Sequence, residues 1–477
     1  MKKGLLLLWI AIFAIYRPTF GQDVPQVLSL QDCIEIAIEN NLSIKRGELN
    51  LESSKINLLQ SRASQLPNAN ANANSGFNWG RSINPTTNQF ITQQFAFSGF
   101  NASSNVVLFN GFQLTNTVRQ GNVNVESAGF DLEQAKNNVS LNITTFYLNV
   151  IFNRELLENA KFQVQSTQEQ LERTKKLVAI GSLARTNELD LVAQFASNEV
   201  TLINAQNSLD LALLNLKQAM LIPSNSKIDI IVPVLEFEEI TIIATTPESI
   251  YGIAEQNQPE IKSADLGVKS AILGVRIAGG SAMPTLALGG SLNSNYSNAF
   301  KRFNPDGTVN LVSTGAVTAS GEDVLAPSPG GSFDVISFDE QMRQNLSRNL
   351  GLSISVPIFN GLRNHSNIQR SKITLQQAEI TSIERRNTLR QQIETAYNDA
   401  TAAAKTFNAS KKQVEALEES YRAIQNQYNL GAANFTEYQV TNNNLFRAKS
   451  DLVRAKYDYI FRLKILDFYQ GKPLNIE

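Results

Sequence analysis

The chain has 477 residues, with 42 Lys and Arg against 43 Asp and Glu and a formal net charge of −1. That balance offers no basic surface of the kind that tracks nucleic acid, and the length allows several domains. The single cysteine, Cys33, excludes an intrachain disulfide, and with the single histidine, His365, it leaves little from which to build a catalytic triad or a metal cluster. No phosphate loop occurs either, so neither an enzyme nor a cofactor is expected.

Met1-Lys2-Lys3, the apolar run Leu5–Tyr16 and the small residues near Gly21 predict a secretory signal peptide over residues 1–21. The run is short for a spanning helix, and no later stretch is apolar over the ~18 residues a helical span needs. Cys33 lies inside a helical pattern, where it reads as a small buried apolar residue. It does not stand where a lipid anchor would need it. His365 falls on a polar stretch and reads as a solvated surface residue.

The mature chain reads as two repeats, 22–246 and 247–477. Leu108-Phe109-Asn110-Gly111 returns as Ile358-Phe359-Asn360-Gly361, an offset of 250 that also pairs Tyr147 with Tyr397, Gly181 with Gly431, Thr186 with Thr436 and Ala205 with Ala455. Upstream the offset is 217, pairing Ala37 with Ala254, Asn40 with Asn257 and Lys45 with Lys262. The difference of 33 residues falls in a loop of the second repeat, where a surface segment tolerates insertion.

In chain order the first repeat reads as a helix (30–65), strands 66–79 and 95–109, a helical hairpin (112–221) and a small collar (222–246). The second reads as a helix (247–282), strands 285–296 and 349–359, a hairpin (362–470) and a short tail. The last strand alternates most cleanly: Leu350, Leu352, Ile354, Val356 and Ile358 oppose Gly351, Ser353, Ser355 and Pro357. Strand 285–296 sets Leu286, Leu288, Leu292 and Tyr296 against Ala287, Gly289, Ser291, Asn293 and Asn295. Strand 66–79 alternates Ala69, Ala71 and Ala73 with Asn68, Asn70, Asn72 and Asn74, and strand 95–109 carries Phe95, Phe97, Val107 and Phe109 among Ser and Asn.

One apolar and one small polar face over about 10 residues is the pattern of a transmembrane strand around a wet lumen. Phe77, Trp79, Phe90, Phe95, Phe100, Tyr296 and Phe359 sit near strand ends, as interfacial girdles do. Polar loops near 80–94 and 297–348 join the strand pairs; the second is expected to be partly disordered or to fold over the mouth. Four strands cannot close a barrel, and an open sheet edge cannot sit in lipid. Copies of the chain must therefore share one barrel: a dimer's would be filled by side chains, and larger ones leave a channel. A structural coiled-coil or adhesin-like surface protein, with soluble strands and no pore, is the alternative.

Residues 86–222 and 358–472 contain no proline and carry heptad seams. One runs Leu389, Ile393, Ala396, Ala400, Ala403, Phe407, Ser410, Val414, Leu417, Tyr421, Ile424 and Tyr428, and its copy starts at Val139 and Ile143. The return helices repeat the pattern from Phe195 and Leu445. These are antiparallel coiled-coil hairpins whose outgoing arms would span roughly 100 Å. They turn at Gly181 and Gly431, which suit left-handed caps, with Thr186 and Thr436 as the next N-caps and Asn187 or Glu437 in the first turn.

The duplicated helix–strand–strand–hairpin plan, the two (Leu/Ile)-Phe-Asn-Gly junctions (Phe109, Asn110, Gly111; Phe359, Asn360, Gly361) and the two Gly-x-x-x-x-Thr tips together resemble the TolC-like outer-membrane efflux proteins. The resemblance covers nearly the whole mature chain. It implies an α+β membrane protein and a homotrimer: three chains share a twelve-strand barrel in the outer membrane of a Gram-negative bacterium and a helical barrel across the periplasm. The tips (Gly181, Thr186, Asn187, Glu188, Asp190, Tyr428, Gly431, Thr436, Glu437) become the periplasmic gate, docking a periplasmic adaptor (membrane fusion) protein and an inner-membrane pump of RND or ABC type. The implied function is the passive exit duct of tripartite efflux or type I secretion. The family's tip acids fall on Glu437 and, in the first hairpin, on Asn187; its tip tyrosine matches Tyr428. A tip arginine of some members falls on Ala433, and Arg185 lies in the other hairpin.

Overall fold

The computed structural model describes residues 26–83, 88, 90–232 and 246–472. The expected signal peptide lies outside the described residues. In chain order the elements of the first repeat are β1 (Gln26–Leu28), α1 (Leu30–Asn40), α2 (Leu42–Ala63), β2 (Asn68–Ile83), β3 (Phe90–Asn110), α3 (Gln113–Ala179), α4 (Arg185–Ala219) and β4 (Ile228–Ile230). The second repeat has α5 (Pro247–Asn257), α6 (Pro259–Gly280), β5 (Thr285–Ser297), β6 (Lys301–Val317), β7 (Asp323–Val335), α7 (Phe338–Gln344), β8 (Ser347–Ser355), α8 (Arg363–Asn429) and α9 (Phe435–Tyr469). Among the described residues no helix is long and apolar enough to cross a membrane.

The chain divides into two compact units. One holds the residues up to Ser54, Val123–Val268 and those from Gln377; the other holds Lys55–Asn122 and Lys269–Gln376.

The first unit is helical. The outgoing arms α3 and α8 each have 67 residues and the return arms α4 and α9 each have 35, so the four helices keep the 250-residue offset at both ends. The heptad seam is the reason: Leu389, Ile393, Ala396, Ala400, Ala403 and Val414 are buried, and the rest of that seam is half-buried. Of the polar seam positions, the Asn198 amide donates to Thr167 Oγ1 across the hairpin at 2.8 Å, whereas Thr174 Oγ1 is buried without a partner among the described residues. Two cores form from equivalent positions. Cys33, Ala37, Ile44, Val139, Ile143, Val150 and Leu216 pack in one, and Ile250, Ala254, Ile261, Leu389, Ile393, Ala400 and Leu466 in the other.

The helices expected over 30–65 and 247–282 are each broken once. Asn41 is extended (φ −64°, ψ 126°) and its side chain accepts from the Ser43 amide; Gln258 is extended (φ −67°, ψ 127°) because Pro259 follows it. At the collar, β1 pairs in parallel with β4. The Tyr147 hydroxyl donates to the Ile231 carbonyl at 2.6 Å, and Arg154 pairs with Asp229. Residues 233–245 of the expected collar lie outside the described residues.

Cys33 is fully buried, and burial pushes its thiol up to about 12. The reactive thiolate is therefore scarce at neutral pH. Iodoacetamide at pH 8 is expected to leave the folded protein unlabelled and to label it only in denaturant; labelling of the native protein would show that this core opens.

The second unit carries a four-stranded antiparallel sheet in the order β2-β3-β5-β8. Leu286, Leu288 and Leu292 pair with Ile354, Leu352 and Arg348 on one side and with Phe109, Val106 and Ala102 on the other, forming a mostly apolar face. Asn101 faces Asn293, Ser103 faces Ser291 and Gly289 faces Gly351 on the opposite face. A bulge between Val107 and Phe109 shifts the alternation of β3, so Phe109 joins the face of Val106 and Phe100 rather than that of Val107. The strands differ in extent from their expected ranges. β2 and β3 run on to Ile83 and back to Phe90, while β8 stops at Ser355, before Pro357 can interrupt a ladder.

Residues 297–348 hold regular structure: β6 and β7 form an antiparallel hairpin, and α7 follows. The Phe338 ring meets Phe100 and Tyr296 at 6.1 and 5.3 Å, and Gln341 bonds the Ser297 backbone in both directions at 2.9 Å, seating α7 on the sheet.

Candidate functional site

The two Asn-Gly junctions turn strand into helix by the same means. Gly111 and Phe112 are both left-handed (φ 62° and 61°), as are Gly361 and Leu362 (φ 63° and 62°). Two successive left-handed residues reverse the chain sharply, and one of them is glycine because such φ values strain any residue with a Cβ. Asn110 and Asn360 then accept from the amides of Leu114 and Asn364 at 3.3 and 3.4 Å, capping α3 and α8. The junctions differ in their surroundings. Gly111 is buried, and a Cβ there would stand 2.5 Å from the Gly280 carbonyl oxygen; Gly361 is exposed, with nothing within 4 Å of that position.

At the first hairpin tip Gly181 has φ 78°, and the amides of Gly181 and Ser182 donate to the carbonyls of Val178 and Leu177 at 2.9 Å. At the second, Gly431 has φ 75°, and Gly431 and Ala432 donate to Tyr428 and Gln427 at 3.1 and 2.8 Å. Both are double-bonded glycine caps that satisfy the last carbonyls of the outgoing helix.

The return helices begin two residues earlier than the threonines suggest. The N-caps are Ala184 and Asn434, and Thr186 and Thr436 lie inside the first turns. Ala184 makes no side-chain cap. Asn434 makes a full capping box: its side chain accepts from the Glu437 amide at 2.8 Å, and the Glu437 carboxylate accepts from the Asn434 amide at 3.3 Å. Glu437 thus closes the helix start while remaining exposed. Glu188, half-buried, lies in the first turn of α4, with Asp190 exposed just beyond and Asn187 at the position matching Glu437.

The structure brings the two hairpins together just behind their turns. Leu171 and Leu191 of the first pack with Phe435 and Tyr438 of the second, flanked by Phe195, Tyr421, Ile424 and Tyr428. Tyr438 stacks on Tyr428 with ring centroids 5.1 Å apart, and its hydroxyl lies 3.0 Å from that of Tyr421. Burial, first of all, raises the Tyr438 phenol above its ordinary value, so it stays neutral. The Tyr428 hydroxyl is buried without a partner among the described residues, as are Thr174 Oγ1 and Gln439 Nε2 nearby in sequence to the turns. Phe435 and Tyr438 were not among the expected tip residues, although Tyr438 stands seven before Leu445 and continues its seam.

This geometry has known counterparts. The outer membrane efflux protein family model matches residues 33–220 and 250–471, most of the chain. The chain belongs to the outer membrane efflux protein family. Membership carries an outer-membrane location with it.

It is 25% identical to the outer membrane protein TolC of Escherichia coli over 327 residues, 67% of this chain and 58% of TolC. It is 21% identical to the outer membrane efflux protein BepC of Brucella suis over 356 residues, 75% of this chain and 68% of BepC. The chain thus spans less than two thirds of TolC's length. Among solved structures it resembles VceC of Vibrio cholerae, with a TM-score of 0.70 at 16% identity over 94% of this chain and 97% of that one. It also resembles the open-state MtrE channel of Neisseria gonorrhoeae, with a TM-score of 0.68 at 18% identity over 94% and 89%. These structures share the fold, a helical barrel with a β domain.

Proposed function

We propose that three copies of this chain build one twelve-strand barrel in the outer membrane and a continuous helical tunnel in the periplasm, the passive exit duct of an efflux or type I secretion assembly. The observation that carries this is the four-stranded sheet of a family member, apolar on one face, whose outer strands β2 and β8 each lack a second neighbour among the described residues. Exposed backbone edges are costly in hydrocarbon, and closure with further copies removes them. The apolar face then meets lipid, and the Asn- and Ser-rich face lines a wet lumen. The glycine-turned tips form the periplasmic gate, and their exposed residues contact an adaptor and an inner-membrane pump of RND or ABC type. Mass measurement of the protein extracted from outer membranes, with conductance in planar bilayers, tests the reading. A single-copy species soluble without detergent and silent in bilayers would favour the adhesin-like alternative.

Three Glu437 carboxylates on one ring favour cations. Glu437 also caps α9, so charge and fold must be separated. Glu437→Gln keeps a side chain able to complete the capping box; Glu437→Ala loses both functions, at about 1 kcal/mol for the cap. A fall in cation preference in both variants is expected. A change confined to Glu437→Ala would reduce the residue to a cap.

A further inference from the structure

We infer that Phe95 and Phe97 of β3 line the outer end of the lumen and form a weak binding site for amphipathic cargo that carries an aromatic portion. The inference rests on the shared-barrel reading above and goes beyond it to name residues that touch cargo at the exit.

The register separates the aromatic residues that face lipid from those that face the lumen. Across the β3–β5 ladder, Phe100 stands opposite Ser294 and Ser98 opposite Tyr296, on the face where Ala102 meets Leu292. The Phe338 ring of α7 meets Phe100 and Tyr296 on that same side. Phe95, grouped with the girdle residues by sequence, does not share this face. Side chains alternate along a strand, and Phe97 and Phe95 lie three and five residues from Phe100. The β2–β3 ladder runs without a bulge from Asn105 to Phe90, so nothing resets the alternation between them. Both phenylalanines therefore share the face of Asn101, whose side-chain amide donates to Asn293.

A contact confirms the assignment for Phe97. A Cβ added at Gly76 would stand 3.2 Å from two carbons of the Phe97 ring, so the ring lies over this glycine of β2. Phe95 stands opposite Asn78, one pleat further from the helices. Both side chains are half-buried.

The rest of this face is a polar wall. From Asn68 to Asn78 on β2, from Phe95 to Asn105 on β3, and along β5 and β8, none of its described residues is charged, and only Phe95 and Phe97 are aromatic. Phe97 pairs with Ser297, the last residue of β5, which spans 13 residues from Thr285. With a tilt of about 40°, that length rises roughly 30 Å, the thickness of the hydrocarbon core. The rings thus stand at the outer end of the spanning segment.

Three copies around one axis repeat each ring at a common level, with the Phe95 rings about 7 Å beyond the Phe97 rings. Twelve strands about 4.8 Å apart at that tilt enclose a backbone radius of roughly 12 Å. The phenylalanines therefore line the exit without sealing it. Their exposed surface gains by contact with an apolar ring and by its removal from water. The asparagine and serine wall below offers no such contact. A conduit needs sites that hold cargo weakly enough to release it, and rings laid on an open wall meet that need better than an enclosed pocket.

Cysteine accessibility tests the placement in the full-length protein carrying Cys33→Ala. A charged, membrane-impermeant methanethiosulfonate is expected to change the bilayer conductance of Phe97→Cys and of the control Asn101→Cys, and to leave Phe100→Cys unchanged. Reaction of Asn101→Cys without Phe97→Cys, or of Phe100→Cys alone, overturns the placement while leaving the shared barrel standing. A single-copy species without conductance overturns the shared barrel itself.

Block of the current then tests binding, with tetraphenylphosphonium and tetraethylammonium added from the outer side. The two carry equal charge, so the Glu437 ring does not separate them. Tetraphenylphosphonium is expected to block at the lower concentration. Phe95→Ser with Phe97→Ser should narrow that difference about two- to fivefold, and Phe95→Tyr with Phe97→Tyr should preserve it. An unchanged difference in the serine variant, with or without lower heat resistance, would reduce the two rings to packing over β2 and overturn the site.

Discussion

Tyr438→Ala is expected to loosen the hairpin tips and to raise resting conductance in planar bilayers more than any other single change at that end. The Tyr438 ring is 4% exposed, stacks on Tyr428, and joins Phe435 to Leu171 and Leu191 of the opposite hairpin. Removing a buried aromatic ring costs about 3–5 kcal/mol where the site cannot collapse. That cost falls on the contact holding the two tips together, because the turns themselves are held by backbone bonds to Gly181 and Gly431 that the substitution leaves intact. Tyr438→Phe keeps the ring and loses only the bond to the Tyr421 hydroxyl, about 1 kcal/mol. Conductance should therefore rise in the order native, Tyr438→Phe, Tyr438→Ala. Equal conductance in all three would remove this cluster from the gate.

Gly111→Ala is expected to be the most damaging single-methyl change at the strand–helix junctions, and Gly361→Ala is its internal control. Both glycines are left-handed at nearly the same φ, so both variants bear the same conformational strain of about 1–2 kcal/mol. Only at Gly111 does the added Cβ also meet the Gly280 carbonyl and the Met283 side chain, at 2.5 and 2.6 Å. Overpacking of that kind adds about 1–3 kcal/mol. Denaturant unfolding of the single chain should rank Gly111→Ala well below Gly361→Ala. If a neighbouring copy covers Gly361, its variant should lose stability chiefly in the heat resistance of the assembly. Equal loss in both chains on unfolding would mean that the Gly111–Gly280 approach relaxes freely.

Much of this was legible in the residues, and what was not has identifiable causes. The long helices were legible because the seam recurs without proline and a glycine ends each arm. The pleated faces of β5 and β8 were legible because alternating leucine and small polar residues leave one reading. The bulge in β3 was not: Val106-Val107-Leu108-Phe109 is apolar throughout, so the side chains do not mark where the alternation shifts. The β6–β7 hairpin was hidden by Pro305, Pro327 and Pro329 and by runs of Gly and Ser that resemble a loop. Proline is tolerated there because a two-stranded ribbon is all edge. Of the helix breaks, Pro259 marks the second, whereas Asn41-Leu42 at the first carries no such signal. At the tips, the turns were legible from glycine, but Thr186 and Thr436 were mistaken for caps because threonine is a common N-cap, while Ala184 offers no capping group to recognise.

The equal lengths of the paired arms, 67 and 35 residues in both halves, bear on how such a chain can change. An extra heptad in one arm would push its own tip past its twin and pull Tyr438 out of line with Leu171 and Leu191, leaving a ragged rim. Only simultaneous, matched insertions in four helices keep the rim level, and chance rarely delivers four at once. The reach of the tips is therefore frozen like the setting of a calliper, and evolutionary novelty is diverted to the stretch between β5 and β8, which holds β6 and β7 and leaves every heptad undisturbed.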